Sequence, residues 1–164
     1  MFNSQKEPLA RPTIPAAVIP SVELPKPGFP KKKILLVDDD AVVLKILSFS
    51  LKSRGYEVLT ATDGSAAIGL MRDEAPDLLL IDVGLAPDVE LHWDGFQVAD
   101  WIGRVNGRVP TIMISGSDKP EFAERAAAAG AQAFFAKPIE IDHLFASIAS
   151  ALAGYQQAIT VAYS

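Results

Sequence analysis

Five side chains that could take part in phosphoryl or acid-base chemistry follow short apolar runs of the length of β-strands. Asp38 and Asp39 come directly after the first run, Asp82 after the third, Ser115 after the fourth and Lys137 after the fifth. In an open α/β sheet, ligands bind outside the carboxyl ends of the strands. We therefore expect these five side chains, although distant in sequence, to lie together at one edge of a sheet.

Three carboxylates at one edge repel one another unless a cation lies among them. Mg²⁺ is a simple remedy, because it prefers oxygen ligands and binds through one or two carboxylates together with a phosphate oxygen. Such a pocket suits the transfer of a phosphoryl group to a carboxylate. Asp82 is then the expected nucleophile, and Asp39, supported by Asp38, the expected ligand of Mg²⁺. Lys137 and Ser115 would each bond one phosphoryl oxygen.

The segments around these residues alternate between runs of strand length and stretches of helical period, which is the pattern of βαβ units around a parallel sheet. The near-continuous apolarity of the runs is typical of strands covered on both faces. The strands are predicted at 33–37, 57–61, 78–81, 109–114 and 132–136. Predicted helix N-caps are Asp40, Asp63 and Asp118, and Gly55 and Gly130 are predicted at helix C-termini.

Four stretches, ILLVDDD at 34–40, LLID at 79–82, IMISG at 112–116 and FFAKP at 134–138, resemble the receiver domains of bacterial response regulators. The resemblance extends over about residues 32–153. It implies a (βα)5 flavodoxin-like sandwich with a parallel sheet of order 2-1-3-4-5. It also implies dependence on Mg²⁺ and a sensor histidine kinase or phosphotransfer protein as the phosphoryl donor.

The same resemblance assigns roles to the site residues. It makes Asp38 and Asp39 the acidic pair that holds the metal and Asp82 the phospho-acceptor, and it places a cis peptide bond after Lys137, the phosphate-binding lysine. The third protein ligand of the metal in this family is a backbone carbonyl two residues after the acceptor, which is that of Gly84 here.

The resemblance also predicts a conformational switch. Ser115 occupies the position of the switch hydroxyl, and Phe134 that of an aromatic residue that rotates on activation. A phosphoryl group beside Ser115 would draw the hydroxyl inward and open space that Phe134 could fill. The expected output is a changed surface on the fourth helix, fifth strand and fifth helix, which a downstream protein recognises.

The sequence departs from the family pattern between Gly84 and Trp93, where about five residues are inserted before Asp94-Gly95. The insertion could displace the carbonyl of Gly84. Asp88 and Glu90 also add negative charge near the pocket, which would weaken phosphoryl binding or attract a second cation. We expect the inserted loop to tune access or partner choice, the alternative being a passive insertion.

Composition limits the organisation of the chain. Its 164 residues fit one domain, predicted at 32–153, with a proline-rich arm at 1–31 and a short tail at 154–164 that is too small for an output domain. A net charge of -5 argues against direct nucleic-acid binding. The absence of cysteine excludes disulfides and thiolate metal sites. No stretch is long and apolar enough to cross a bilayer, so a cytoplasmic protein is expected.

Other functions fit the sequence less well. The main alternative is a degenerate receiver that binds partners without being phosphorylated. A phosphatase of the haloacid dehalogenase type would need a second Asp two residues after Asp82, where Gly84 stands. A nucleotide-binding enzyme is disfavoured because neither GxGxxG nor GxxxxGK[ST] follows a strand. A serine hydrolase is disfavoured because the GxSxG motif is absent around Ser115. We therefore expect a phospho-acceptor signalling protein and not an enzyme.

Overall fold

The structure is a computed structural model that describes Gly28, residues 30–107 and residues 109–162, with only the helical backbone from 155 onward. The predicted arm at 1–31 falls almost wholly outside the described residues. The elements in chain order are β1 (Lys33–Val37), α1 (Ala41–Ser53), β2 (Glu57–Ala61), α2 (Gly64–Glu74), β3 (Leu78–Asp82), α3 (Gly95–Val105), β4 (Thr111–Ser115), α4 (Pro120–Ala128), β5 (Ala133–Ala136) and α5 (Ile141–Ala162).

The five strands form one parallel sheet of order β2-β1-β3-β4-β5, which confirms the predicted flavodoxin-like topology. β1 lies between β2 and β3, with Val37 opposite Ala61 on one side and Ile81 on the other. β3 pairs with β4 so that Asp82 lies opposite Ile114. The carboxyl ends of β1, β3, β4 and β5 therefore reach the same edge of the sheet.

Four strand boundaries differ from the prediction. β4 begins at Thr111 and not at Val109, because Pro110 has no N–H to donate to a strand ladder. β3 and β4 each extend one residue further, to Asp82 and Ser115. β5 begins one residue late, at Ala133.

Apolar side chains on the two faces of the sheet build two core layers. On one face, Leu35, Leu79, Ile81 and Met113 are fully buried under α2, α3 and α4. On the other face, strand residues such as Leu80 pack against α1 and α5. Because β1, β3 and β4 are covered on both sides, they tolerate a polar residue only where the strands end. No helix within the described residues has the length and apolarity to cross a membrane.

The helices next to the carboxyl edge begin mostly as the sequence predicts. Asp40 accepts hydrogen bonds from Val42 and Val43 at the start of α1, and Asp63 accepts one from Ala66 in α2. These two N-cap predictions are confirmed.

The prediction for Asp118 is wrong, since Lys119 is the N-cap of α4 and its side chain makes no capping bond. Pro120 at the first helical position supplies a preset φ instead. Gly55 and Gly130 follow α1 and α4 with φ values of 90° and 85°, in the left-handed region that favours glycine.

Gly95 brings α3 unusually close to β3. A Cβ at this position would collide with the backbone carbonyl of Asp82 and with Val83. The N–H of Gly95 also donates to the carbonyl of Val83 at 3.3 Å. The start of α3 is therefore seated directly on the backbone of the residues that end β3.

Candidate functional site

One ammonium group joins the ends of three strands at the carboxyl edge of the sheet. Nζ of Lys137, after β5, donates to Oδ2 of Asp82 at 2.7 Å and to Oδ2 of Asp38 at 3.0 Å. The backbone N–H of Lys137 donates to the carbonyl of Ser115 at 2.7 Å, which fixes the lysine to the end of β4. The structure thus brings together the side chains of Asp38, Asp82 and Lys137, as expected from their positions after the strands.

Three carboxylates meet at this edge. Asp38, Asp39 and Asp82 each place one oxygen within 4.8 Å of the others. Asp38 is 1% exposed and Asp82 is 5% exposed, whereas Asp39 faces solvent. Lys137 compensates only part of their combined charge. A hard divalent cation fits this donor set, because it requires oxygen ligands and would balance the remaining negative charge.

The electrostatics of the pair formed by Asp38 and Lys137 follow from burial and hydrogen bonding. Burial raises the pKa of Asp38, and the nearby charge of Asp82 raises it further, against the lowering effect of hydrogen bonds from Asp40 and Lys137. For Lys137, burial lowers the pKa, but the bonds to Asp82 and Asp38 outweigh it and leave the pKa above its ordinary value. The site therefore keeps its ammonium charged and makes an ionised Asp38 costly.

Both carboxylate oxygens of Asp82 have partners. Besides the bond from Lys137 to Oδ2, the backbone N–H of Gly84 donates to Oδ1 at 2.7 Å. This bond turns the loop after β3 tightly over the carboxylate. Together, the bonds from Gly84 and Lys137 fix the orientation of the Asp82 carboxylate. That the carbonyl of Gly84 is a metal ligand stays a prediction.

The two predicted switch residues lie on neighbouring strands. Ser115 is buried at the end of β4, where its hydroxyl accepts a hydrogen bond from the N–H of Ser117 at 3.0 Å. Phe134 in β5 pairs with Met113 and packs, half-buried, against the core layer beneath α2, α3 and α4. Their roles in a switch stay predictions.

The inserted loop is held in place by the carboxylate of Asp88. Asp88 accepts hydrogen bonds from the N–H and the hydroxyl of Ser65 at 2.9 and 2.7 Å, and from the N–H groups of Leu91 and His92. These bonds, with that of Leu91 the strongest, lower the pKa of Asp88 to about 2. Asp88 is thus hydrogen-bonded to the start of α2 and within its own loop, and its low pKa keeps it negatively charged. That this charge weakens phosphoryl binding or attracts a second cation stays a prediction.

A second contact of the loop reaches the acidic cluster itself. The backbone N–H of Ala86 donates to Oδ2 of Asp39 at 3.2 Å. Trp93 at the end of the loop packs against the core, with its ring centroid 6.5 Å from that of Trp101 in α3. Both indoles therefore take part in packing against the core. Only the unusual length of the loop signalled these contacts in the sequence, because the bonding partners are far apart along the chain.

Residues 34–149 match the family model described as the response regulator receiver domain. The chain belongs to this family. Among curated proteins, the chain is 33% identical over 119 residues to the transcriptional regulatory protein GlrR of Escherichia coli K12. The match covers 73% of this chain and 26% of GlrR. The chain therefore spans about a quarter of the length of the curated relatives it matches.

Solved receiver structures agree with this fold. A CheY-like receiver domain protein from Methanospirillum hungatei is 27% identical, with a TM-score of 0.71 over 78% of this chain and 98% of that one. NtrX from Brucella abortus is 30% identical, with a TM-score of 0.73 over 81% of this chain and 29% of NtrX. The resemblance found in the sequence motifs is confirmed at the level of the family and the fold.

Proposed function

We propose that this receiver is a phospho-acceptor of two-component signal transduction. It takes a phosphoryl group onto Asp82 from a histidine kinase or a phosphotransfer protein, in a reaction that depends on Mg²⁺. The observation that carries the proposal is the setting of Asp82, which is buried, oriented through both oxygens and surrounded by two further carboxylates and one ammonium. Family membership supports a cytoplasmic location and a role in signalling, not in substrate turnover.

In the proposed reaction, an oxygen of Asp82 attacks phosphorus while the bond between phosphorus and the donor breaks. Lys137 carries three N–H donors, of which Asp82 and Asp38 use two, so the remaining one can bond a phosphoryl oxygen. The hydroxyl of Ser115 would bond another. Mg²⁺, held by Asp38, Asp39 and Asp82 and proposed to contact the carbonyl of Gly84, would supply positive charge to the transferred group.

We further propose that the signal leaves through the surface formed by α4, β5 and α5. Ser115 at the end of β4 is one strand away from Phe134 in β5, so a movement of the hydroxyl toward the phosphoryl group changes the space beside the aromatic ring. A downstream protein would recognise the altered surface. The net charge of -5 makes direct contact with nucleic acid by this domain unfavourable.

The phosphoryl donor is proposed to dock on α1. This helix begins directly after the acidic pair and exposes three large apolar side chains, Val42, Ile46 and Phe49, at 64%, 59% and 75%. Their spacing of four and three residues places them on one helix face. Clustered exposed apolar groups mark interaction surfaces. A partner bound there would lie beside the pocket that receives the phosphoryl group.

The second candidate function is a degenerate receiver that binds partners without phosphorylation. The inserted loop at 84–93 favours it, because the loop departs from the family pattern directly beside the acidic cluster. The two functions differ in what Asp82 does. A degenerate receiver would bind its partner equally well with and without that carboxylate.

Acetyl phosphate and Mg²⁺ test the proposal directly by intact mass spectrometry. The wild type is expected to gain one phosphoryl group, and Asp82→Asn none. Asp40→Asn is the matched control, because it makes the same change at the same edge and asparagine caps helices as well as aspartate does. Chelation with EDTA should abolish the mass gain in the wild type and the control. A wild type that stays unmodified while binding its partner would favour the degenerate receiver.

A further inference from the structure

The inserted loop between β3 and α3 is held at two points on either side of Ala86. On one side, Leu85 is 3% exposed and belongs to the core layer under α2, α3 and α4. On the other side, Asp88 is bonded to both the N–H and the hydroxyl of Ser65, in the first turn of α2. Pro87 between them restricts φ and also the backbone of Ala86. The position of Ala86 is therefore determined by these flanking contacts.

Between these two points, the loop touches the acidic cluster. The N–H of Ala86 donates to Oδ2 of Asp39 at 3.2 Å. Asp39 is the exposed member of the cluster. Ala86 thus holds one of its oxygens and restricts the rotation of a carboxylate that has an oxygen within 4.8 Å of an oxygen of Asp38 and of Asp82. Carboxylates that bind metals are commonly oriented by such a hydrogen bond, and loss of the orienting group typically lowers metal affinity by about 10- to 100-fold.

We infer that Asp88 and Ser65 are positioning residues of the metal pocket: by fastening the loop to α2, they hold the N–H of Ala86 on Asp39 and so set the orientation of that carboxylate. This inference rests on the proposed function, because it takes Asp39 to be a ligand of Mg²⁺. It assigns a use to the insertion that distinguishes this chain from the usual pattern of its family.

Capping of α2 alone does not account for the contact. The helix already has its own N-cap, Asp63, whose carboxylate accepts the N–H of Ala66. Asp88 comes from 23 residues further along the chain and also bonds the N–H groups of Leu91 and His92 within the loop. A Cβ on Gly64 would lie 3.5 Å from Oδ2 of Asp88 and 3.7 Å from Leu91, which are ordinary contact distances, so the loop packs directly against the start of α2. The close approach that requires a glycine there is to Val98 in α3, at 2.7 Å.

Mg²⁺ titration by isothermal calorimetry on the full chain tests the inference. Asp88→Asn leaves one acceptor oxygen for the four donors that share two in the wild type, so it cannot hold both the loop and Ser65, and we expect its dissociation constant for Mg²⁺ to rise about tenfold. Ser65→Ala removes one of the two bonds, with an expected rise of about threefold. The matched control is Glu90→Gln, which removes the same charge from an exposed position of the same loop and should stay within about twofold of the wild type.

The outcomes separate the two proposals. If the wild type fails to bind Mg²⁺, the proposed function fails. If the wild type binds Mg²⁺ and Asp88→Asn binds it as tightly as Glu90→Gln does, the positioning role is overturned. Should Asp88→Asn not fold, as judged by circular dichroism, Ser65→Ala decides, and an unchanged affinity in that variant overturns the inference. A purely structural role for Asp88 would lower the thermal midpoint and leave the Mg²⁺ affinity of the folded protein unchanged.

Discussion

Nζ of Lys137 lies 2.7 Å from Oδ2 of Asp82, across 55 residues of sequence, and the same ammonium reaches Asp38 at 3.0 Å. Lys137 is thus shared by two buried carboxylates. Their mutual repulsion is relieved only while the ammonium is present or another cation replaces it. Four expectations follow from this arrangement and from the elements that support it.

Replacing Lys137 by methionine should destabilise the protein when no divalent cation is present. Two buried carboxylates then lose their shared partner, at an expected cost of about 2 kcal/mol, because the site lies at the protein surface where solvent limits the penalty. Added Mg²⁺ should restore part of the loss. Phosphorylation by acetyl phosphate should slow by about 100-fold, as for loss of a charge-stabilising donor. Urea unfolding and intact mass measure the two effects.

The matched control is Lys119→Met, the same substitution at an exposed lysine beside α4. It should change neither the free energy of unfolding nor the phosphorylation rate appreciably. Equal stability of Lys137→Met and Lys119→Met without Mg²⁺ would contradict the role of the shared ammonium.

Asp38→Asn should stabilise the protein at neutral pH without Mg²⁺. The pKa of Asp38 is raised above its ordinary value of 3.8, chiefly by burial. The folded state therefore binds the proton more tightly than the unfolded state does, and stability falls as the pH rises through the raised pKa. Asparagine imitates the protonated acid and can still accept the N–H of Asp40.

The advantage of Asp38→Asn should shrink as the pH is lowered toward 3.8. It should also reverse with Mg²⁺, because a ligand at 100 times its dissociation constant stabilises the wild type by about 2.7 kcal/mol and the variant by less. Thermal unfolding between pH 4 and 8, with and without Mg²⁺, measures both changes. A variant less stable than the wild type at pH 7 in EDTA would contradict the assigned cause of the shift.

Gly95→Ala should displace α3 from the end of β3. The added methyl group collides with the carbonyl of Asp82 and with Val83, so we expect a loss of about 1–3 kcal/mol, typical of overpacking. Phosphorylation of Asp82 should slow as well. The control is Gly103→Ala in the same helix, where an added Cβ meets nothing within 4 Å. This substitution should raise the free energy of unfolding by up to about 1 kcal/mol, because alanine favours a helix interior more than glycine does. Urea unfolding of the two variants should give changes of opposite sign.

Polar substitution on the exposed face of α1 should separate two routes of phosphorylation. Ile46→Gln combined with Phe49→Gln removes apolar surface that a docked partner would bury. Burial of each of these side chains would stabilise the complex by about 1.5–3 kcal/mol. With a histidine kinase that phosphorylates the wild type, kcat/KM should fall at least about tenfold. Phosphorylation by acetyl phosphate should be unchanged, since that donor needs no docking surface.

The control for this face is Val105→Gln, which changes an apolar side chain of α3 that is 60% exposed. It should leave transfer from the kinase intact. If the α1 variant and the α3 control behave alike with the kinase, the donor docks elsewhere.

Much of the fold follows from local patterns. Runs such as 78–81 are apolar without interruption, so they predict strands buried on both faces, and Asp40 and Asp63 mark helix starts through their own short-range bonds. The N-cap of α4 was predicted wrongly because the fixed φ of a proline, and not a capping side chain, determines where this helix begins. Pro120 sets the start of α4, so Lys119 and not Asp118 takes the N-cap position.

The convergence of Asp38, Asp82 and Lys137 was predictable because the ends of parallel strands share one edge of the sheet. The contacts of Asp88 were not, because they depend on how a loop folds back onto the start of a preceding helix, at Ser65, 23 residues earlier in the chain. A carboxylate in a loop has the same sequence signature whether it faces a cation or a helix terminus. Only the three-dimensional structure shows which of these two partners the carboxylate has.

The joining of the first and last strands through Asp38 and Lys137, 99 residues apart, has a consequence for synthesis. A nascent chain leaves the ribosome with β1 and β3 long before β5, so Asp82 exists for a time without its lysine. Under the proposed function, efficient phosphorylation of Asp82 is expected only after translation of the domain is complete, and a fragment that ends before β5 is expected to accept phosphate slowly.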